Sequence, residues 1–487
     1  MPAAATAFAL AALAIVAQDH VALRAAPATT ASAHAQLWQG ELVEVRDRRL
    51  GQLQVYDHRL ERAGYIRETE AHVVGLHESD APELLAVLHF LRDTPGAESL
   101  GIAYAAAYLK AAPAAAVSPD VFDALGVMAE RLARGATLRQ GKVDAVTAHM
   151  DVATQYGVRF VSVGGNTPSG GAGPMQLCYD GTAFRHVLAM DGSDGAAAAS
   201  ADQRARAALA LTRPDCLDPA LSPKARQAAN QEHADLLDQV DSASGAQLEA
   251  SLRNRLRLRR AAVWAAVAFD KSRLQEPAQP AAQRALDALA GADKSQLGEG
   301  ELGEYTEAAI RVGAVRWAAQ TTLSAASRLQ VELLPGETGQ TCVRLLDRYA
   351  KAPVTLAEHC TYGTVWPMSA RAMPEGRALA LNVEPLDGWA ELWVWHQETD
   401  GWKLDIVAPD SNGPGLGYVE WAGWSPASRG KLLVVRESKS DGRFKRRFEV
   451  LRTDTLVAEK SAGDPAQLAA FGVWADPAWK QGTVSLR

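Results

Sequence analysis

Three prolines towards the C-terminus, Pro374, Pro426 and Pro477, stand 52 and 51 residues apart. Residues 369–381, 421–435 and 473–486 each set an aromatic or Ser/Ala stretch before a proline turn and a strand-like run. A weaker copy precedes them, with 324–333 as its turn and strand. Such a period constrains the fold strongly, because a repeated unit must bury its apolar face against its own copies. Each full unit has room for four strands. Around Pro426 these fall near Val419, at 431–436, at 447–452 and at 456–459. Nine of the twelve tryptophans lie between Trp366 and Trp479, so the aromatic core is concentrated in this region.

Four-stranded units of ~50 residues are the signature of propeller blades. On these repeats, residues 324–487 resemble the WD-repeat and TolB-type β-propellers. The resemblance implies a propeller-like antiparallel β domain. Three units and a fragment fall short of the ~4–8 blades of a closed ring. Residues 158–190 are therefore expected to complete it, and 201–323 to form a helical insertion. An open twisted sheet or a sandwich is the alternative. Within 158–190, residues 158–163 alternate, and 176–179, Asp180-Gly181 and 184–188 read as a hairpin.

The N-terminal part reads as short strands between residues 19 and 68. "ALRAAP" (22–27), "LWQGELVEV" (37–45), "LQVYD" (53–57) and "GYI" (64–66) carry alternating apolar positions between turns. These segments resemble the bacterial SH3-like domain, which implies a small five-stranded barrel that binds cell-wall peptides or another envelope protein. Trp38, Tyr56 and Tyr65 form its candidate ligand surface. The family's usual Trp before the strand matching "LQV" is Gln52 here. A binding barrel and a purely structural adaptor are both open.

Residues 79–157 read as helical. Asp80, Pro82 and Glu83 make a helix start, and Leu84, Leu85, Val87, Leu88 and Leu91 follow at helical spacing. Helical pattern returns from 201 to 323. Its basic run (Arg253, Arg255, Arg257, Arg259, Arg260) is expected to meet Glu232, Asp235, Asp238 and Asp241 as an interhelical ion-pair face.

Residues 7–17 are an apolar run shorter than the ~20 residues that span a bilayer, and they match the apolar core of a signal peptide ending near residue 17. No Lys or Arg precedes Arg24, so the usual basic start is missing; a buried Ala-rich helix is the other reading. No second run reaches ~18 apolar residues, which predicts no transmembrane span. An even cysteine count suits export: Cys178 with Cys216, and Cys342 with Cys360, are the expected disulfides. An antiparallel pair turning at 347–353 would bring Cys342 and Cys360 together. Four buried thiols are the alternative. The net charge of -7 argues against a general nucleic-acid binder.

The catalytic motifs of the common hydrolase and nucleotide-binding families are absent. The Gly-rich stretch 164–173 lacks the lysine that meets phosphate and reads as a surface loop. Ser428-x-x-Lys431 sits in a turn rather than at a helix start. Glu358-His359-Cys360 lacks spaced metal partners, and His72 and His77 are poorly spaced for one helix face. Trp393 and Trp395 share one strand face and are the candidate sugar-stacking pair, against blade packing as the plainer role. No cofactor or metal is expected. The chain thus reads as a multidomain α+β protein: an SH3-like barrel, a helical region and a propeller-like β domain. The expected function is an exported envelope scaffold or binding protein for a cell-wall or protein partner, with no catalytic constellation. The alternative is an envelope hydrolase with a site at the mouth of the β domain.

Overall fold

A computed structural model describes residues 12–138, 143–166, 172–193, 197–321, 327–349, 354–410, 413, 415–426, 430–440 and 442–486. The architecture is mixed α+β, in two compact units that divide between Ala220 and Leu221.

The first unit opens with β1 (Ala12–Val16), β2 (Val21–Arg24), β3 (Ala33–Leu37), β4 (Leu42–Arg49), β5 (Gln52–Asp57), β6 (Arg62–Arg67) and β7 (Ala71–Val74). They form one antiparallel sheet in the order β3-β2-β6-β5-β4-β1-β7. Alternation explains the core: Val21, Leu23, Val43, Leu53, Val55 and Ile66 point to one side and are buried there. The order is open, ending at β3 and β7, with no closed barrel among the described residues; β2 to β6 are the five strands expected between 19 and 68, and β1 and β7 add two outside those bounds. The expected leader supplies one of them. Ala14 and Val16 are buried in the sheet core and Ile15 in the helical core behind it, so β1 is apolar because both its faces are covered. Residues 1–11 lie outside the described residues.

Next come α1 (Ala81–Arg92), α2 (Glu98–Ala111), α3 (Pro119–Leu138) and α4 (Val143–Gln155), within the expected helical span. Leu84, Leu88 and Leu91 of α1 are buried as their spacing requires. Asp80 precedes α1, but its carboxylate accepts from the His77 amide (2.9 Å), one turn earlier than expected. Strands β8 (Phe160–Asn166) and β9 (Ala172–Tyr179) form a separate two-stranded sheet inside this unit, so they do not complete the C-terminal sheet. The hairpin expected at Asp180-Gly181 is instead the start of α5 (Thr182–Ala189). Asp180 accepts from the Thr182 amide (2.9 Å), and Ala183, Phe184 and Val187 bury one helical stripe. Residues 167–171 of the Gly-rich stretch lie outside the described residues. Helix α6 (Ala201–Leu211) begins with a Ser200/Gln203 capping box.

The second unit begins with α7 (Pro223–Ser244), α8 (Ala250–Arg273), α9 (Gln279–Ala290) and α10 (Glu299–Val315). The region 201–323 is therefore shared between the units rather than forming one insertion. Of the basic run on α8, Arg260 pairs with Asp238 (2.8 Å) and Asp241, Arg255 lies 3.8 Å from Glu304, and Arg253 and Arg257 donate to carbonyls.

β10 (Leu329–Pro335), β11 (Thr341–Asp347) and β12 (Val354–Thr361) form a three-stranded sheet, in which Cys342 stands directly opposite Cys360. The repeat is visible next. β13 (Thr364–Ala372), β14 (Ala378–Leu386), β15 (Trp389–Gln397) and β16 (Trp402–Val407) make one antiparallel meander. β17 (Leu416–Trp424), β18 (Lys431–Ser440), β19 (Arg443–Arg452) and β20 (Ala458–Ala462) make a second. A short parallel pairing of β15 with β17 joins them into one eight-stranded sheet. Each first strand carries a register shift, at Trp366/Arg371 and at Trp421/Gly423. The meanders bury Ala380, Leu392, Val394, Val419, Leu432 and Val434 in one cluster. The third proline does not start a strand. Asp476 caps the Ala478 amide (2.8 Å) and Pro477 opens α12 (Pro477–Gly482), which follows α11 (Ala469–Trp474). An Asp-Pro pair suits a helix N-terminus, and that local preference decides the segment. The sheet remains open, with no closed propeller among the described residues.

Candidate ligand-binding cleft

β10 and β13 are edge strands of two sheets in the second unit. Between them and the turn after α8 opens a cleft of about 660 Å³. Trp317, Leu334, Trp366, Pro367 and Met368 line its apolar side, and Tyr362 stands at the rim, 57% exposed. Arg273, Gln275 and Glu276 bring polar groups from the end of α8. Glu276 is engaged by Gln227 (2.6 Å) and lies 3.7 Å from Lys271. Arg273 is exposed and makes no hydrogen bond or ion pair among the described residues.

The exposed edge of β13 is closed by its own side chains. Ser369 Oγ donates to the Trp366 carbonyl (2.6 Å), and Arg371 donates to the Met368 (2.8 Å) and Ala370 (2.9 Å) carbonyls. Pro367 has no N–H to offer. Recognition here therefore falls to side chains rather than to strand addition.

Trp366 links the cleft to the core. Its indole Nε1 donates to Glu384 Oε2 (3.1 Å), and the Gly388 amide donates to Oε1 (2.9 Å). Glu384 has no solvent exposure. Burial, reinforced by the Asp387 carboxylate, pushes its carboxyl up to about 8 against the two donors and Arg311. Directly across the strand pair, Thr364 lines the cleft, and its buried Oγ1 has no hydrogen-bond partner. Glu384 and Asn382 belong to no recognisable sequence motif. Their signal was two polar residues inside the apolar run of β14, where only a partnered or functional polar group is retained.

A second, charged cleft of about 410 Å³ lies where the turn between β13 and β14 meets the ends of β18 and β19. Lys431 is held by Glu459 (2.5 Å) and Arg452 by Asp454 (2.5 Å). Lys431 is therefore committed to an ion pair, while Ser428 lies outside the described residues. His396 also lines this cleft. Its Nε2 meets Asp405 (2.8 Å) and its Nδ1 faces Glu398 (3.9 Å), so both ring nitrogens face carboxylates and neither is aimed at a nucleophile.

The expected aromatic surfaces separate. Trp393 and Trp395 are 3% and 1% exposed, with ring centroids 5.9 Å apart, so the stacking-platform expectation is corrected: they are core. They pack against the three-stranded sheet, where His359 meets Trp393 edge-on at 4.9 Å. Tyr56 and Tyr65 are half-buried and share the outer face of the N-terminal sheet with Gln54. Arg46 lies 4.1 Å over the Tyr56 ring, whereas Trp38 meets His20 in a tilted contact with ring centroids 4.5 Å apart.

Both cysteine pairs, Cys178–Cys216 and Cys342–Cys360, are disulfides. The grouping of Cys342, Cys360 and Glu358 is thereby spoken for, because the sulfurs bond each other and Glu358 pairs with Arg344 (2.5 Å). No helix among the described residues is long and apolar enough to cross a membrane. Compared with known protein families, curated proteins and solved structures, the chain matches none.

Proposed function

We propose that the chain is an exported binding protein of the cell envelope that takes a cell-wall peptide in the cleft between β10 and β13. In this reading the N-terminal sheet is an SH3-like relative, and the two meanders are propeller-like units in tandem. The observation that carries the proposal is the cleft itself: an aromatic and apolar wall and, among the described residues, a buried Thr364 hydroxyl without a hydrogen-bond partner and an exposed rim cation, Arg273, with no hydrogen bond or ion pair. That combination suits a short peptide bearing a carboxylate. The two disulfides support an oxidising compartment.

The test is co-sedimentation of the full chain with purified peptidoglycan sacculi. Wild type is expected to sediment with them. Arg273→Glu and Tyr362→Ala should each release it, while Tyr56→Ala/Tyr65→Ala should not. Release only by the Tyr56/Tyr65 variant would move binding to the N-terminal sheet. Failure of wild type to sediment would overturn the reading and turn attention to envelope proteins.

A further inference from the structure

β19 runs from Arg443 to Arg452, but β20 pairs with it only from Phe448 to Leu451. Residues 443–447 are bonded to β18 on one side and, among the described residues, to no strand on the other. This open half-edge reads Arg-Phe-Lys-Arg-Arg in a chain of net charge -7, and all five residues are exposed. Arg443, Lys445 and Arg447 share one face by strand alternation, ~6.8 Å apart. Arg443 and Arg447 have no ion pair among the described residues, and Lys445 lies 3.7 Å from Asp410. Arg447 also stands directly across from Arg436, a like-charge pairing that costs stability.

We propose that this half-edge of β19 is a docking site for an acidic, extended segment of a partner protein, which adds as a strand beside residues 443–447. Two features favour a peptide over a polyanion. Unpaired main-chain groups offer a directional hydrogen-bond ladder that only another backbone matches. The cations recur every second residue, the spacing of side chains on one face of an added strand. Charged edges also serve to block aggregation, and that simpler role predicts no binding at all. The site is separate from the β10/β13 cleft.

The probe is a fluorescein-labelled (Thr-Glu)5 peptide, read by anisotropy with the full chain. Binding should weaken as salt rises, and the 443–447 amides should gain hydrogen-exchange protection in the complex. Arg443→Gln/Arg447→Gln, both at exposed positions, should weaken binding about ten-fold. N-methylation of alternate peptide amides should abolish it, since the charge stays and the ladder is lost. Equal binding of the N-methylated peptide, or competition by heparin without amide protection, would overturn strand addition. Absence of binding by the unmodified peptide would leave the cations as edge protection and end the proposal. Arg273→Glu should bind the probe like wild type, so this site and the cleft can fail independently.

Discussion

Arg316 and Glu420 form an ion pair at side-chain exposures of 3% and 0%. Glu420 also accepts from the Trp479 indole (2.9 Å) and from the Thr483 hydroxyl, so one carboxylate ties the end of α10 and the C-terminal segment to β17. Breaking such a pair leaves a buried charge without compensation, which costs about 3–5 kcal/mol. Arg316→Met alone should therefore lower the unfolding free energy of the second unit by roughly that amount. Arg316→Met/Glu420→Gln should recover much of the loss, because no charge is left buried and the amide oxygen still accepts from Trp479 and Thr483. Urea unfolding followed by tryptophan emission checks this, since most of the tryptophans lie in that unit.

Glu384 makes the second unit sensitive to alkali. Its folded pKa of about 8 lies above the ordinary 4.5, chiefly because burial disfavours the charge. Between those values the folded chain holds a proton that the unfolded chain releases, so stability is full below 4.5 and falls as pH rises to about 8. Asp270, buried and raised to about 6, acts in the same direction over a lower window. Glu384→Gln keeps an acceptor for Trp366 and carries no charge. Its melting temperature should fall less than that of wild type between pH 6 and pH 8, keeping only the slope due to Asp270 and the remaining groups. Parallel melting curves for the two proteins across that range would refute the assignment.

What was legible in the sequence follows from how local the determining interactions are. The Cys342/Cys360 pairing could be read because two strands joined by a short turn leave little choice of register. The strands around Pro426 could be read because alternation is local: β17 to β19 cover the positions it marks, and β20 begins two residues later than expected, after the turn at Leu456. The Pro477 copy shares the repeat's spacing but not its strands, because Asp476-Pro477 caps a helix. The strand β1 could not be read within the apolar run 7–17, because a strand covered on both faces loses its alternation. The cleft could not be read at all. Arg273 comes from α8 and Thr364 and Trp366 from β13, about ninety residues later, and only tertiary packing brings them to one surface.

The two disulfides should differ in what they protect. Cys178–Cys216 spans 38 residues and Cys342–Cys360 spans 18. Loop-closure entropy makes the first worth about 0.7 kcal/mol more, within a typical contribution of about 3–4 kcal/mol each. Cys178→Ser/Cys216→Ser should destabilise the first unit and leave binding in the cleft unchanged. Cys342→Ser/Cys360→Ser should weaken that binding as well, because the neighbouring Thr341 and Tyr362 line the cleft. Domain-resolved hydrogen exchange and the sacculus assay separate these effects.

Gly423 is required by close approach. It lies at the register shift of β17, where a Cβ would stand 2.2 Å from the Trp474 carbonyl oxygen. The neighbouring Ala422 carbonyl accepts from the Asp476 amide (2.8 Å), so the main chain after α11 is seated directly on this strand. Gly423→Ala must push two backbones apart, and overpacking of that kind costs about 1–3 kcal/mol. Gly472, inside α11, has nothing within 4 Å of its added Cβ. Gly472→Ala should therefore stabilise by up to about 1 kcal/mol through helix propensity. Opposite signs from the same chemical change would show that the segment after α11 is seated by backbone contact on β17. Equal and small effects from both substitutions in urea unfolding would show that they are not.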